Sequence, residues 1–141
     1  MQRGTSSLYA RPSAQPSWTW VRRTAGICLA LYAALLIFFS LESTAGPTVS
    51  MSDKWLHFLA YGGLAGLMAM SWPRMPLKYV FLTGAVLGAG LEIGQGMMGR
   101  GRTASIADQI ANMCGLLIFI LGWMGTVKLW MKYQSRQSRR R

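Results

Sequence analysis

Apolar residues occur in four long runs along the chain, separated by short polar stretches. The runs cover about residues 24–41, 53–72, 77–98 and 106–127. Each is close to the length that an α-helix needs to cross the hydrocarbon core of a bilayer. Lipid offers no partner to backbone N–H and C=O groups, so a spanning segment pairs them internally as a helix. The pattern predicts an all-α fold, a polytopic membrane protein with a bundle of four transmembrane helices.

Glycine and proline mark the predicted connections between these helices. Gly46 and Pro47 interrupt the polar stretch after the first run, and Pro73 and Pro76 separate the second run from the third. Proline lacks a backbone N–H and cannot continue a helix. We therefore expect one membrane domain over residues 24–127. It is preceded by a basic tail, residues 1–23, and followed by a basic amphipathic tail, residues 128–141.

The composition supports a membrane protein and argues against a soluble one. Hydrophobic residues make up 52% of the chain and charged residues only 13%, which is far from the balance of a soluble domain. The formal net charge is +11, but the basic residues flank the apolar runs, where anionic lipid headgroups lie. Nucleic-acid recognition motifs are missing. We expect membrane lipids as partners and no nucleic acid; the sequence sets no oligomeric state.

The distribution of Lys and Arg predicts the orientation in the membrane. Twelve of the fifteen lie in the two tails or in residues 72–78, around the connection between the second and third runs. The positive-inside rule then places both termini in the cytoplasm. Lys54, Arg100 and Arg102 remain on the outer side, so their presence there needs another explanation.

Polar side chains at the outer ends of three predicted helices form a candidate site. The second and fourth helices enter from the outer side and the third leaves toward it, so polar residues near those ends share one depth. Arg100 and Arg102 lie in the connection above them. The predicted ligand-binding residues are Asp53, His57, Glu92, Gln95, Arg102, Asp108 and Asn112.

Each of these residues also has a structural interpretation. Ser50 and Ser105 precede Asp53 and Asp108 by three positions, so each aspartate can simply favour its helix N-terminus. Gln95 and Asn112 can hydrogen-bond between helices, and the arginines can be solvated or can contact lipid phosphate.

Glu92 and His57 are harder to explain by structure alone. An unpaired charge inside an apolar run costs roughly 2 to 3 kcal/mol. A pair between Glu92 and His57, or between Glu92 and Arg102, lowers that cost.

Several chemistries are compatible with these side chains. His57 with Glu92 or Asp108 offers acid and base groups, but the sequence names no nucleophile. Asp53, His57 and Glu92 form a weak metal-ligand set, and we predict neither a metal nor a cofactor. Cys28 and Cys114 lie inside apolar runs without partners at disulfide or zinc spacing, which predicts buried thiols.

Three short motifs in order resemble those of the VanZ-like family of small multi-pass membrane proteins. The resemblance covers about residues 52–122 and implies a protein of the bacterial cytoplasmic membrane, related to a factor linked with teicoplanin (glycopeptide) resistance. The family arginine corresponds best to Arg102, which leaves Arg100 as an extra. The motifs are Asp53-Lys54-x-x-His57-x-x-x-Tyr61, Glu92-x-x-Gln95 and Arg102-x-x-Ser105-x-x-Asp108-x-x-x-Asn112-x-x-Gly115.

Three functions stay open at this point. The first is a cell-envelope protein whose arginines bind an anionic lipid, a lipid-linked wall precursor or a glycopeptide. The second is a membrane enzyme that uses His57 and Glu92 on a lipid-linked substrate. The third is an accessory protein whose polar cluster only packs helices. A transporter is disfavoured because four helices enclose little space.

Overall fold

The computed structural model describes residues 16–42, 51–98 and 104–139. These ranges contain four α-helices and no strand: α1 (Pro16–Glu42), α2 (Met51–Ser71), α3 (Leu77–Met97) and α4 (Ile106–Ser138). The predicted all-α bundle is confirmed. α1 begins inside the segment predicted as a tail, and α4 continues through the predicted amphipathic extension without a break.

Three of the described helices, α1, α3 and α4, are long and apolar enough to cross a membrane. α2 is 21 residues long and carries Asp53, Lys54 and His57 near its start, and it is not among these three. α2 packs against α1, α3 and α4, whereas α1 and α4 do not contact each other in the described residues. α2 therefore lies at the centre of the bundle, where neighbouring helices can cover its polar side chains.

Glycines set the close approach of α2 and α4, which run parallel. A Cβ at Gly115 would overlap the backbone carbonyl oxygen of Phe58 and lie 3.1 Å from the backbone N of Gly62. One turn further along both helices, Gly66 faces the ring of Phe119. Small residues of this kind let transmembrane helices approach until their backbones touch.

α1 and α2 are antiparallel, and so are α3 and α4. The Tyr32 hydroxyl of α1 donates to the Ala60 carbonyl of α2 at 2.9 Å, and Gln109 Nε2 of α4 donates to the Ala85 carbonyl of α3 at 3.1 Å. The starts of α2 and α4 therefore lie together with the ends of α1 and α3. We call this the polar end of the bundle.

The opposite half of the bundle holds the apolar core, and the outer surface is apolar as well. Leu64, Ala65, Val80 and Leu116 are almost completely buried in that core. Large apolar side chains such as Leu31, Val86 and Ile118 are exposed on the outside, as expected for a surface in contact with lipid.

The prediction of buried thiols is wrong, since Cys28 and Cys114 are both exposed. An apolar run does not imply burial when the solvent around the protein is itself apolar.

Candidate functional site

The structure brings the predicted site residues that it describes to the polar end. Four of them are between 1% and 7% exposed, and Asp53 and His57 are partly exposed. Arg100 and Arg102 lie outside the described residues. The four buried residues are Glu92, Gln95, Asp108 and Asn112.

A chain of hydrogen bonds fixes the orientation of the His57 ring. His57 Nδ1 lies 3.0 Å from Asn112 Oδ1, Asn112 Nδ2 donates to Gln109 Oε1 at 3.4 Å, and Gln109 Nε2 donates to the Ala85 carbonyl. A backbone carbonyl can only accept, so every donor in the chain points toward Ala85. Nδ1 of His57 therefore carries the proton, and Nε2 of the neutral ring keeps its lone pair for a base or ligand role.

Glu92 binds a backbone group instead of His57. Its Oε2 accepts from the backbone N–H of Ser105 at 2.9 Å, and no Glu92–His57 pair occurs among the described residues. Of the two pairs considered for Glu92, the one with His57 is absent because Asn112 stands beside His57, and the one with Arg102 lies outside the described residues. Glu92 instead holds the start of α4 against the end of α3.

We expect the hydrogen-bonding capacity of Glu92, more than its charge, to stabilise this contact. Glu92→Gln keeps an acceptor for the Ser105 N–H and should lower stability by less than about 1 kcal/mol. Glu92→Leu leaves that N–H unpaired and should cost about 1 to 3 kcal/mol. Unfolding of both variants in detergent measures the difference. Equal losses for Gln and Leu would show that the negative charge is what the fold requires.

Lys54 and Asp108 form an ion pair across the start of α2 and α4. Lys54 Nζ lies 3.2 Å from Asp108 Oδ1, with the lysine side chain 28% exposed and the aspartate 10%. Ser105 Oγ accepts from the backbone N–H of Asp108 at 3.2 Å, so the predicted N-cap of α4 is confirmed. Asp108 thus stabilises its helix and pairs with Lys54. The sequence alone had predicted no partner for that lysine.

A cavity of about 350 Å³ opens between α1 and α2 at the polar end. Gln95 Nε2 donates to the Ser40 carbonyl at 2.7 Å beside it, which joins α3 to α1. The contribution of α1 was missed by the sequence reading, and Tyr32 and Ser40, polar residues in its apolar run, were the available signal. The lining residues are Tyr32, Leu35, Leu36, Phe39, Ser40, Asp53, Leu56, His57, Ala60, Tyr61 and Gln95.

The polar side chains of this end fall into two groups. In the described residues, every buried side-chain N or O has a hydrogen-bond partner. Glu92, Asp108 and Asn112 do not line the cavity, and they make hydrogen bonds or an ion pair with other protein groups. Asp53 and His57 do line it. The first group holds the helices together, and Asp53 and His57 place polar atoms in the cavity wall.

Asp53, His57 and Asp108 also approach one another closely. One potential ligand atom from each lies within 4.8 Å of the other two. In the ligand set predicted from the sequence, the third residue was Glu92. In the structure it is Asp108, because parallel packing brings the starts of α2 and α4 together. An imidazole and two carboxylates can share a cation or move a proton.

Comparison of the chain with protein-family models, with curated proteins and with solved structures finds no match.

Proposed function

We propose that this protein is a VanZ-like component of the bacterial cytoplasmic membrane that binds an amphiphilic lipid with an anionic head. The cavity at the polar end is the binding site, and it opens to the outer leaflet with both termini in the cytoplasm. Lipid-linked wall precursors have this chemistry, and the carboxylate of a glycopeptide is an alternative anionic group for the same site. The order of the three motifs and the distribution of Lys and Arg support the proposal.

The shape of the cavity carries this proposal. Its walls are largely apolar, with Leu35, Leu36 and Phe39 from α1 facing α2, while Asp53 and His57 supply polar atoms near the start of α2. A site that is apolar along one part and polar at the other matches a molecule with a hydrocarbon tail and a hydrophilic head. A lipid would enter sideways from the bilayer between α1 and α2.

The anionic head is assigned to the basic residues of the same end. Arg102 precedes Ser105 by three positions, and Ser105 is held by Glu92. Guanidinium groups bind phosphate or carboxylate in a bidentate manner, which suits Arg102, with Arg100 as a second contact. Lys54 is a further basic residue at the polar end, where it pairs with Asp108.

Filling the cavity should remove the lipid. Leu56 lines the cavity and Leu59 does not, although their exposed fractions are similar, 66% and 62%. We expect Leu56→Trp, or Ala60→Leu, to reduce co-purifying lipid about tenfold, a loss of about 1.4 kcal/mol in binding. Leu59→Trp should leave it unchanged. Quantitative lipid mass spectrometry of detergent-extracted protein measures the amounts.

The same lipid analysis tests whether Arg102 binds the anionic head group. Arg102→Ala should selectively deplete anionic lipids, while Arg74→Ala, in the connection between α2 and α3, should not. If Leu56→Trp, Ala60→Leu and Arg102→Ala all retain the lipids of the parent protein, the cavity is not a lipid site.

A second candidate is catalysis on such a lipid, and the orientation of His57 favours it. The hydrogen bond to Asn112 leaves His57 Nε2 as an acceptor, the form that a general base requires. The mass spectra distinguish the two functions, because an enzyme yields a chemically altered lipid in the parent protein and an unaltered one in His57→Gln.

A further inference from the structure

The cluster of Asp53, His57 and Asp108 has the dimensions of a cation site. Two ligands of one Zn²⁺ or Mn²⁺ lie at most about 4.4 Å apart, since each is about 2.0 to 2.2 Å from the ion. The potential ligand atoms here lie within 4.8 Å of one another. Small rotations of the two carboxylates and the imidazole close that difference. We propose that these three side chains bind a divalent transition-metal cation, Zn²⁺ or Mn²⁺, between the first turns of α2 and α4.

The environment of His57 supports a ligand role independently of those distances. Metal-binding histidines commonly donate their second ring N–H to an acceptor that fixes the tautomer. His57 has this arrangement, because Asn112 accepts from Nδ1 and is itself held through Gln109 by the Ala85 carbonyl. None of those three residues is a proposed ligand. The hydrogen-bond chain prepares Nε2 to donate its lone pair to a metal.

The site already holds one positive charge. Lys54 Nζ lies 3.2 Å from Asp108 Oδ1. Lys54 is partly exposed, so its flexible side chain can move outward when a metal binds Asp108. The lysine ammonium thus occupies Asp108 in the metal-free site.

The donor set selects the class of metal. One imidazole with carboxylates suits Zn²⁺ or Mn²⁺ better than Ca²⁺ or Mg²⁺, which prefer oxygen ligands throughout. Asp53 and His57 line the cavity, so water or an anionic group can complete the coordination from that side. A bound metal would supply positive charge to an anionic head, but metal binding itself does not depend on the lipid proposal.

Titration of the full-length protein in detergent tests the metal site. The protein carries Cys28→Ser and Cys114→Ser, is stripped with a chelator, and is titrated with Zn²⁺ and with Mn²⁺ by calorimetry without added lipid. We expect one ion per chain. Asp53→Asn and His57→Gln should weaken binding at least about tenfold. Glu42→Gln, an exposed carboxylate outside the cluster, is the matched control and should bind as the parent does.

Lys54→Met gives the sharpest test, because it should tighten metal binding whereas the ligand variants should weaken it. Removing the competing ammonium should tighten metal binding about tenfold. A lysine that only stabilises the fold would produce no such gain. The proposal is overturned if the parent binds no stoichiometric metal, if the ligand variants bind as tightly as the parent, or if Lys54→Met fails to bind more tightly. A failed metal titration with intact lipid retention would leave the lipid proposal standing, and the converse also holds.

Discussion

We expect Gly115→Ala to lower the free energy of unfolding by about 3 kcal/mol, at the upper end of the range for overpacking. The added Cβ would overlap the Phe58 carbonyl oxygen and approach the backbone of Gly62. Those atoms belong to helix backbone and cannot rotate away, so α2 and α4 must separate along their parallel contact. Thermal unfolding in detergent should show a Tm lower by roughly ten degrees.

Gly122→Ala is the matched control for this prediction. It lies two turns further along α4, where an added Cβ meets nothing within 4 Å. Alanine favours a helix over glycine by about 0.8 to 1.0 kcal/mol, so the control should be neutral or slightly stabilising. If Gly115→Ala were as stable as Gly122→Ala, the close parallel packing of α2 and α4 would be wrong. The alignment of the polar end would be wrong with it.

We expect a membrane-impermeant thiol reagent applied to intact cells to label Ala104→Cys and to leave Arg74→Cys unlabelled. Ala104 and Arg74 are exposed and lie at opposite ends of the bundle, next to the start of α4 and just after the end of α2. The proposed orientation, with both termini in the cytoplasm, places the polar end in the outer compartment and Arg74 in the inner one. Cys28→Ser and Cys114→Ser remove the background, and mass tagging measures the fraction labelled.

Permeabilised cells provide the control for accessibility, because both cysteines should then react. The reverse pattern in intact cells would place the polar end in the cytoplasm. The cavity could then no longer receive a ligand from the outer leaflet. Labelling of both sites in intact cells would rule out a bundle with its two ends in different compartments.

The sequence was sufficient to predict the helices and the common level of the polar side chains. Run lengths near twenty residues and internal breakers locate α2, α3 and α4 closely. Alternating directions then bring the starts of α2 and α4 to the end of α3, as the Glu92–Ser105 and His57–Asn112 contacts show. These features follow from one-dimensional spacing and the thickness of a membrane.

The partners within the site could not be predicted from the sequence, since they depend on how each helix rotates against its neighbours. Spacing along α2 does not reveal that α4 is its closest parallel neighbour, so Asn112 was not expected beside His57. The role of Lys54 was missed for the same reason. α1 contributes a wall of the cavity through aliphatic residues such as Leu35 and Leu36, which give no sequence signal beyond lipid contact.

α4 is long enough to reach both interfaces of the bilayer as one unbroken helix. Lys128 follows Asp108 by about twenty residues, so the helix places them about 30 Å apart. This is the thickness of the hydrocarbon layer, so aspartate and lysine reach opposite interfaces at once. The remaining turns to Ser138 are exposed and carry Lys132 and Arg136, which resist being drawn into the acyl chains. The length of α4 therefore fixes the depth of the bundle: in a thinner membrane the bundle should tilt, and a thicker membrane should thin around it.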